Sequence, residues 1–173
     1  MSRSLFLVGA AALSLAASSA LASGPGADPA TLDFIAKASQ SDAFERAEGR
    51  LAEHRTHDRH VRMFAAEMVK AHTKTTAGLK AAIHHAGLTP APAPTMTDAQ
   101  THMIADLSKL HGRDFDKTYI DQQVQAHQDT LGAVQGYAQN GPAGPVHDAA
   151  QKVQPLVEHH LEMAKELQSH MGG

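Results

Sequence analysis

Apolar positions recur along most of this chain in steps of three and four, and no stretch alternates strictly between apolar and polar. The pattern predicts helices and no strands. The first long helix starts at Asp28-Pro29, a capping side chain followed by the residue best suited to the first helical position. It runs over 29–55, with Phe34, Ala38, Ser41, Glu45, Glu48 and Ala52 on one face. The second follows Asp58, carries Val61, Phe64, Met68, His72, Leu79 and Ile83 on one stripe, and stops at Gly87. A stiff Pro/Ala connector then leads to Thr97-Asp98-Ala99-Gln100, a capping box that opens a short helix over 98–110. Gly112 breaks the pattern. A third long helix restarts near Asp114 and ends at Asn140-Gly141-Pro142, with Ile120, Val124, His127, Leu131, Val134 and Ala138 inward. The last helix spans about 145–170 through Val146, Ala149, Val153, Leu156, His160, Ala164, Leu167 and Met171, and Pro155 predicts a local kink in it.

Four amphipathic helices of this length bury their stripes together as an antiparallel bundle. The passage from 88 to 112 separates the first helical hairpin from the second, and is long enough to cross a bundle roughly 40 Å tall. The expected fold is therefore all-α: a ferritin-like four-helix bundle with a long crossover, containing a short helix, between the second and third long helices.

The N-terminus changes the setting. Met1-Ser2-Arg3-Ser4, an apolar run from Leu5 to Leu13, and Ala20-Leu21-Ala22 form a secretory signal peptide over 1–22; the apolar run is too short to span a bilayer. Residues 23–28 read as a flexible leader and 29–171 as a single domain, soluble in the periplasm, with no later membrane span. The chain has 173 residues, 42% of them hydrophobic, enough for one such domain. A net charge of -3 provides no global positive field for a phosphate backbone, which argues against nucleic-acid binding. With no Cys, thiolate metal sites, disulfides and thiol catalysis are excluded. Neither a Gly-x-Ser-x-Gly elbow nor a glycine-rich phosphate loop occurs, so no catalytic residues are assigned.

Composition departs from the ordinary in histidine, with 13 residues. His72, His127 and His160 each occupy an apolar stripe on a different helix, where Leu or Met is expected, and Glu45 is their counterpart on the first. Measured along the axes, the four lie about 18 to 27 Å from the hairpin turns, which places them in one layer near mid-height. A buried unpaired carboxylate or imidazolium costs several kcal/mol, so the layer needs mutual hydrogen bonds or a metal. Three imidazoles and a carboxylate suit a transition metal ion such as Zn, Cu, Fe or Ni. The same residues also suit a metal-free polar layer that fixes helix register. His54, His57, His60, His84, His85 and His159 read as solvated side chains, and Met63, Met68, Met103 and Met163 as core filler.

Several pieces, taken in order, resemble a known family. They are Phe34 and Ala38; Glu45, Gly49 and Leu51-Ala52; Phe64-Ala65 and Met68-Val69 running into His72-Thr73-Lys74; Gly112, Phe115-Asp116 and Tyr119; Gln123-Val124 before His127; and Pro155 ahead of His160-Leu161. The chain resembles the exported bacterial family known as domain of unknown function 4142 over about 30–168. That resemblance implies a ferritin-like bundle in the cell envelope and no established activity. Its pattern falls on Glu45, His72, His127 and His160, with Asp116 and Tyr119 in structural roles. The Glu-x-x-His pairs of di-iron bundles are missing: Glu67 is five residues before His72 and Glu158 two before His160. The expectation is thus a metal-binding protein for metal handling or envelope stress rather than an enzyme, the alternative being a metal-free structural or partner-binding bundle.

Overall fold

The computed structural model describes residues 28–89 and 95–171. The expected signal peptide, nearly all of the expected leader and the Pro-rich stretch 90–94 lie outside them. Five helices and no strand occur among the described residues: α1 (Pro29–Arg55), α2 (Arg59–His85), α3 (Asp98–Leu107), α4 (Gly112–Asn140) and α5 (Pro145–Met171).

Local chemistry sets their ends. The Asp28 carboxylate accepts from the backbone N–H of Ala30 and Thr31 ahead of Pro29, and Asp58 does the same for His60 and Val61. At the close of α2, Gly87 adopts φ 68° while its N–H bonds to the His84 carbonyl and that of Leu88 to Ile83, a Schellman arrangement that needs a left-handed residue at this point. Thr97 and Gln100 cap α3 reciprocally.

The short helix ends at Leu107 rather than 110, because the N–H groups of Lys109 and Leu110 turn to carbonyls three residues back. Gly112, expected as a break, instead starts α4 in a left-handed conformation of φ 55°. Arg55 ties this link to α1 by donating to the carbonyls of Ser108 and Leu110, its guanidinium 5.9 Å from the Phe115 ring centroid. Helix α5 runs unbroken through Pro155, whose ring faces solvent.

The three-residue turn 56–58 folds α2 back on α1, and residues 141–144 fold α5 back on α4. The two hairpins then meet through α1 with α4 and α2 with α5. Two apolar clusters result. One holds Phe64, Met68, Phe115, Tyr119, Ile120 and Leu161, and the other Phe34, Ile35, Leu79, Val134, Tyr137 and Val146. In the second, Phe34 stacks on Tyr137 at 4.4 Å and the Tyr137 hydroxyl meets that of Thr31 at 2.8 Å. Each fully buried large apolar side chain contributes roughly 1.5–3 kcal/mol. On all four long helices the apolar clusters are separated by buried polar residues. Met63, expected in the core, is 60% exposed; Met68 is fully buried.

Candidate metal centre

The polar layer between the clusters is built from one or two turns of each long helix. On α1, Asp42, Glu45 and Glu48 repeat every three residues and share a face; α2 adds His72 with Thr75 and Thr76 a turn later, α4 Gln123 and His127 a turn apart, and α5 His160. Glu45, Glu48, His72, His127, His160 and Gln123 are all buried.

His72, His127 and His160 come together as the spacing predicts. Their ring centroids are 5.5 to 5.8 Å apart, and one ring nitrogen from each lies within 4.8 Å of the others. Glu45 is not part of this group. Its carboxylate sits behind His127, with Oε1 3.7 Å from Nδ1, while Oε2 accepts from the Gln123 amide at 2.6 Å. The same amide nitrogen donates to Glu48 Oε2 at 2.7 Å, so Gln123 bridges the two carboxylates. Sequence reasoning placed all four residues in one layer, and the structure divides that layer into an imidazole side and a carboxylate side.

Hydrogen bonding determines which imidazole nitrogens face inward. His72 Nδ1 lies 2.8 Å from Asp42 Oδ1; a carboxylate only accepts, so Nδ1 donates. His127 Nδ1 likewise donates to the Gln123 carbonyl at 2.9 Å. In the neutral rings, both Nε2 atoms are left with a lone pair and no partner. His160 has no partner on either nitrogen. This is the division of labour seen around metal-bound imidazoles, where one nitrogen is oriented by an acceptor and the other is free to ligate. A tetrahedral site with ~2.0–2.1 Å bonds has nitrogens about 3.3 Å apart, so the three rings fit an ion after a closure of up to about 1.5 Å.

Asp42, not foreseen as a site residue, organises this side. It also accepts from the Thr75 and Thr76 hydroxyls, each at 2.8 Å, which leaves its carboxylate fully engaged. Its signal in the sequence is a position three residues before Glu45 on the same face, together with the paired threonines after His72.

Electrostatics differ around the layer. Burial works against a charged His72, yet the hydrogen bond to Asp42 and the charges of Glu45 and Asp42 outweigh it and raise its pKa. Burial, then the neighbouring His127, His72 and His159, push His160 down to about 3. Burial and the charge of Glu45 hold the Glu48 carboxyl well above the usual carboxylate range, against the opposing bond from Gln123. Burial, with Glu48, Glu45 and Glu53 nearby, raises the Tyr119 phenol well above its ordinary value. The other flagged histidines, His54, His57, His60, His84, His85 and His159, are exposed as expected.

The family model described as Domain of unknown function (DUF4142) matches residues 16–167. No curated protein matches the chain. Among solved structures, a DUF305 fragment from Deinococcus radiodurans superposes with a TM-score of 0.71 at 17% identity, covering 84% of this chain and 99% of that one. A DUF305 protein from Streptomyces coelicolor, provisionally described as secreted, gives 0.69 at 16% identity over 83% and 93%. These likenesses establish a shared all-helical fold. Among the described residues, no helix is long and apolar enough to cross a membrane.

Proposed function

The chain belongs to the family described as Domain of unknown function (DUF4142), and from that premise we propose that it is an exported, ferritin-like four-helix bundle that holds a transition metal ion in its core. His72, His127 and His160 are the ligands, and the role is metal handling or envelope stress in the periplasm. Export is supported by the signal-peptide pattern of residues 1–22, and the ferritin-like topology by two hairpins joined through a segment that contains α3.

The observation that carries the metal reading is the set of three buried imidazoles, one on each of three helices, which bring ring nitrogens to within 4.8 Å of one another and each carry a nitrogen with no hydrogen-bond partner. Neutral imidazoles of this kind suit Zn, Cu, Ni or Fe. When bound, such an ion supplies Lewis acidity at a position the protein leaves open. Asp42 orients the His72 ring and the Gln123 carbonyl the His127 ring, and Glu45 places negative charge behind His127.

The metal-free reading has one observation in its favour: Gln123 joins Glu45 and Glu48 and so locks α1 to α4 with no ion. It leaves four imidazole nitrogens unpaired at about 1–3 kcal/mol for each such group. Elemental analysis of the untagged protein purified from the periplasm, beside the His72→Ala/His127→Ala variant, separates the two. Near-stoichiometric metal that disappears in the variant is expected. A wild-type protein that is empty and ignores added Zn, Cu and Fe refutes the metal reading, and metal retained by both proteins assigns it to the exposed histidines near the α1–α2 turn.

A further inference from the structure

Helix α5 does not bury the edge its spacing predicts. Ala150, Val157 and Leu161 go fully inside, whereas Ala149, Val153 and Leu156 remain partly exposed. Those three line one wall of a half-open cavity of about 830 Å³ between α2 and α5. Leu79 and Ala82 of α2 form the opposite wall, and Phe34 and Val134 close the back. This volume lies within the range of small-molecule sites.

Three features give the cleft a chemistry. The α2 wall is open at its rim, where Gly78 is exposed and a Cβ built on it meets nothing within 4 Å. Two buried polar groups form the floor, because His72 and His160 line the cavity and both carry unpartnered nitrogens, while the buried carboxylate beside them, Asp42, is already engaged. At the mouth, Lys74 and Lys152 outnumber Asp148. An ion held by the three imidazoles is therefore approached through an apolar corridor with a cationic entrance.

We propose that this cleft binds a medium-chain carboxylate amphiphile, its apolar body along the α2/α5 walls and its anionic head at the His72/His160 floor, where it completes the metal's coordination. The lysines draw the anion in, and the walls remove its methylene groups from water. The head-group contact rests on the metal reading; the occupancy of the cleft does not.

The test uses decanoate, with decanol as the uncharged control, on the full mature chain, both metal-free and loaded with Co(II). Calorimetry should show saturable decanoate binding, at least about tenfold weaker for decanol and for Gly78→Phe. Decanoate should also shift the visible spectrum of the Co(II) protein. Metal stoichiometry in Gly78→Phe should equal that of wild type, because Gly78 holds no ligand. Ala149→Phe, which narrows the opposite wall, repeats the test should Gly78→Phe fail to fold. No decanoate binding by wild type, or equal binding by both cleft variants, overturns the proposal, as does a wild-type dimer that Gly78→Phe dissociates. Equal affinity for decanol overturns the carboxylate assignment. Should the protein take up no metal at all, the metal reading falls, and Gly78-dependent decanoate binding to the metal-free chain still upholds the cleft's occupant.

Discussion

Replacing His160 by leucine should stabilise the metal-free protein, by an amount that grows as the pH falls. His160 is buried and hydrogen-bonded at neither ring nitrogen. At pH 8 the ring is neutral in both folded and unfolded chains, and the substitution removes only the cost of burying an unpaired polar group, about 1–3 kcal/mol. Below pH 6.5 a second cost appears. The folded-state pKa is depressed to about 3 by burial and by His127, His72 and His159, so between those values the unfolded chain holds the extra proton and the folded one does not. Stability is lost as the pH falls through that window. At pH 5, 1.5 units below the ordinary histidine value, the loss is about 2 kcal/mol at 1.36 kcal/mol per unit. Leucine is close to histidine in size and does not titrate, so His160→Leu escapes both costs. Urea unfolding with chelator present should place the variant about 1–3 kcal/mol above wild type at pH 8 and about 3–5 kcal/mol above it at pH 5. The raised pKa of His72 acts in the opposite direction but is present in both proteins. A variant less stable than wild type at pH 8, or a gap that does not widen at pH 5, would show that His160 has a partner in the folded state and refute the reasoning.

Other substitutions probe the surroundings. Asp42→Ala removes the acceptor that orients His72 and should weaken metal affinity by about 10- to 100-fold in competition with a chromophoric chelator; undiminished affinity would mean that Asp42 does not position the ring. Gly49→Ala brings a Cβ to 2.9 Å from Val69 Cγ2 and 3.1 Å from the Ala65 carbonyl, where α1 and α2 approach closely, so thermal unfolding should show a loss of about 1–3 kcal/mol. Tyr119→Phe deletes a buried hydroxyl that bonds to nothing and should be neutral or stabilising by up to about 1 kcal/mol in the same assay; a clear loss would reveal a partner.

The parts of the fold that rest on local rules were legible in the chain. Asp28-Pro29, Asp58, Gly87 and the Thr97/Gln100 pair act at the helix ends where their chemistry places them. The three histidines were legible because a polar residue in an apolar stripe is conspicuous, and helical rise alone sets its height. What could not be read is rotation about the helix axis. A residue's depth follows from counting, but whether Glu45 faces the imidazoles or Gln123 depends on a few tens of degrees fixed by packing of α1 against α4. The same uncertainty moved part of the α5 stripe, burying Ala150 and Val157 in place of Ala149 and Leu156, while Val146, His160 and Ala164 are buried as the spacing predicts. Asp42 was missed because an acidic residue beside a half-polar helix face looks like a solvated position until His72, Thr75 and Thr76 converge on it.

The two sides of the polar layer relieve their burial by different means, and the difference predicts how metal affinity depends on pH. Burial and the charge of Glu45 hold the Glu48 carboxyl well above the usual range, which favours its neutral form, so that side can lower its charge without any outside group. The imidazole side has no such route while neutral: with Nδ1 of His72 and His127 committed as donors, their Nε2 atoms keep lone pairs with no hydrogen-bond partner. One extra proton is the available relief, and it belongs on His72, whose pKa the bond to Asp42 and the charges of Glu45 and Asp42 raise in spite of burial. A second is opposed at His160, which burial and its neighbours keep neutral down to about pH 3. An incoming cation should therefore displace the proton carried by His72. Affinity for Co(II) should fall about tenfold per pH unit below the His72 titration and level off above it. The break should move to lower pH in Asp42→Ala, because that variant loses the partner that raises the pKa. Calorimetric Co(II) titrations across the neutral range, in buffers of different ionisation enthalpy, count the protons directly. Release of two or more protons per ion, or a break unmoved by Asp42→Ala, would place the titrating group elsewhere than His72.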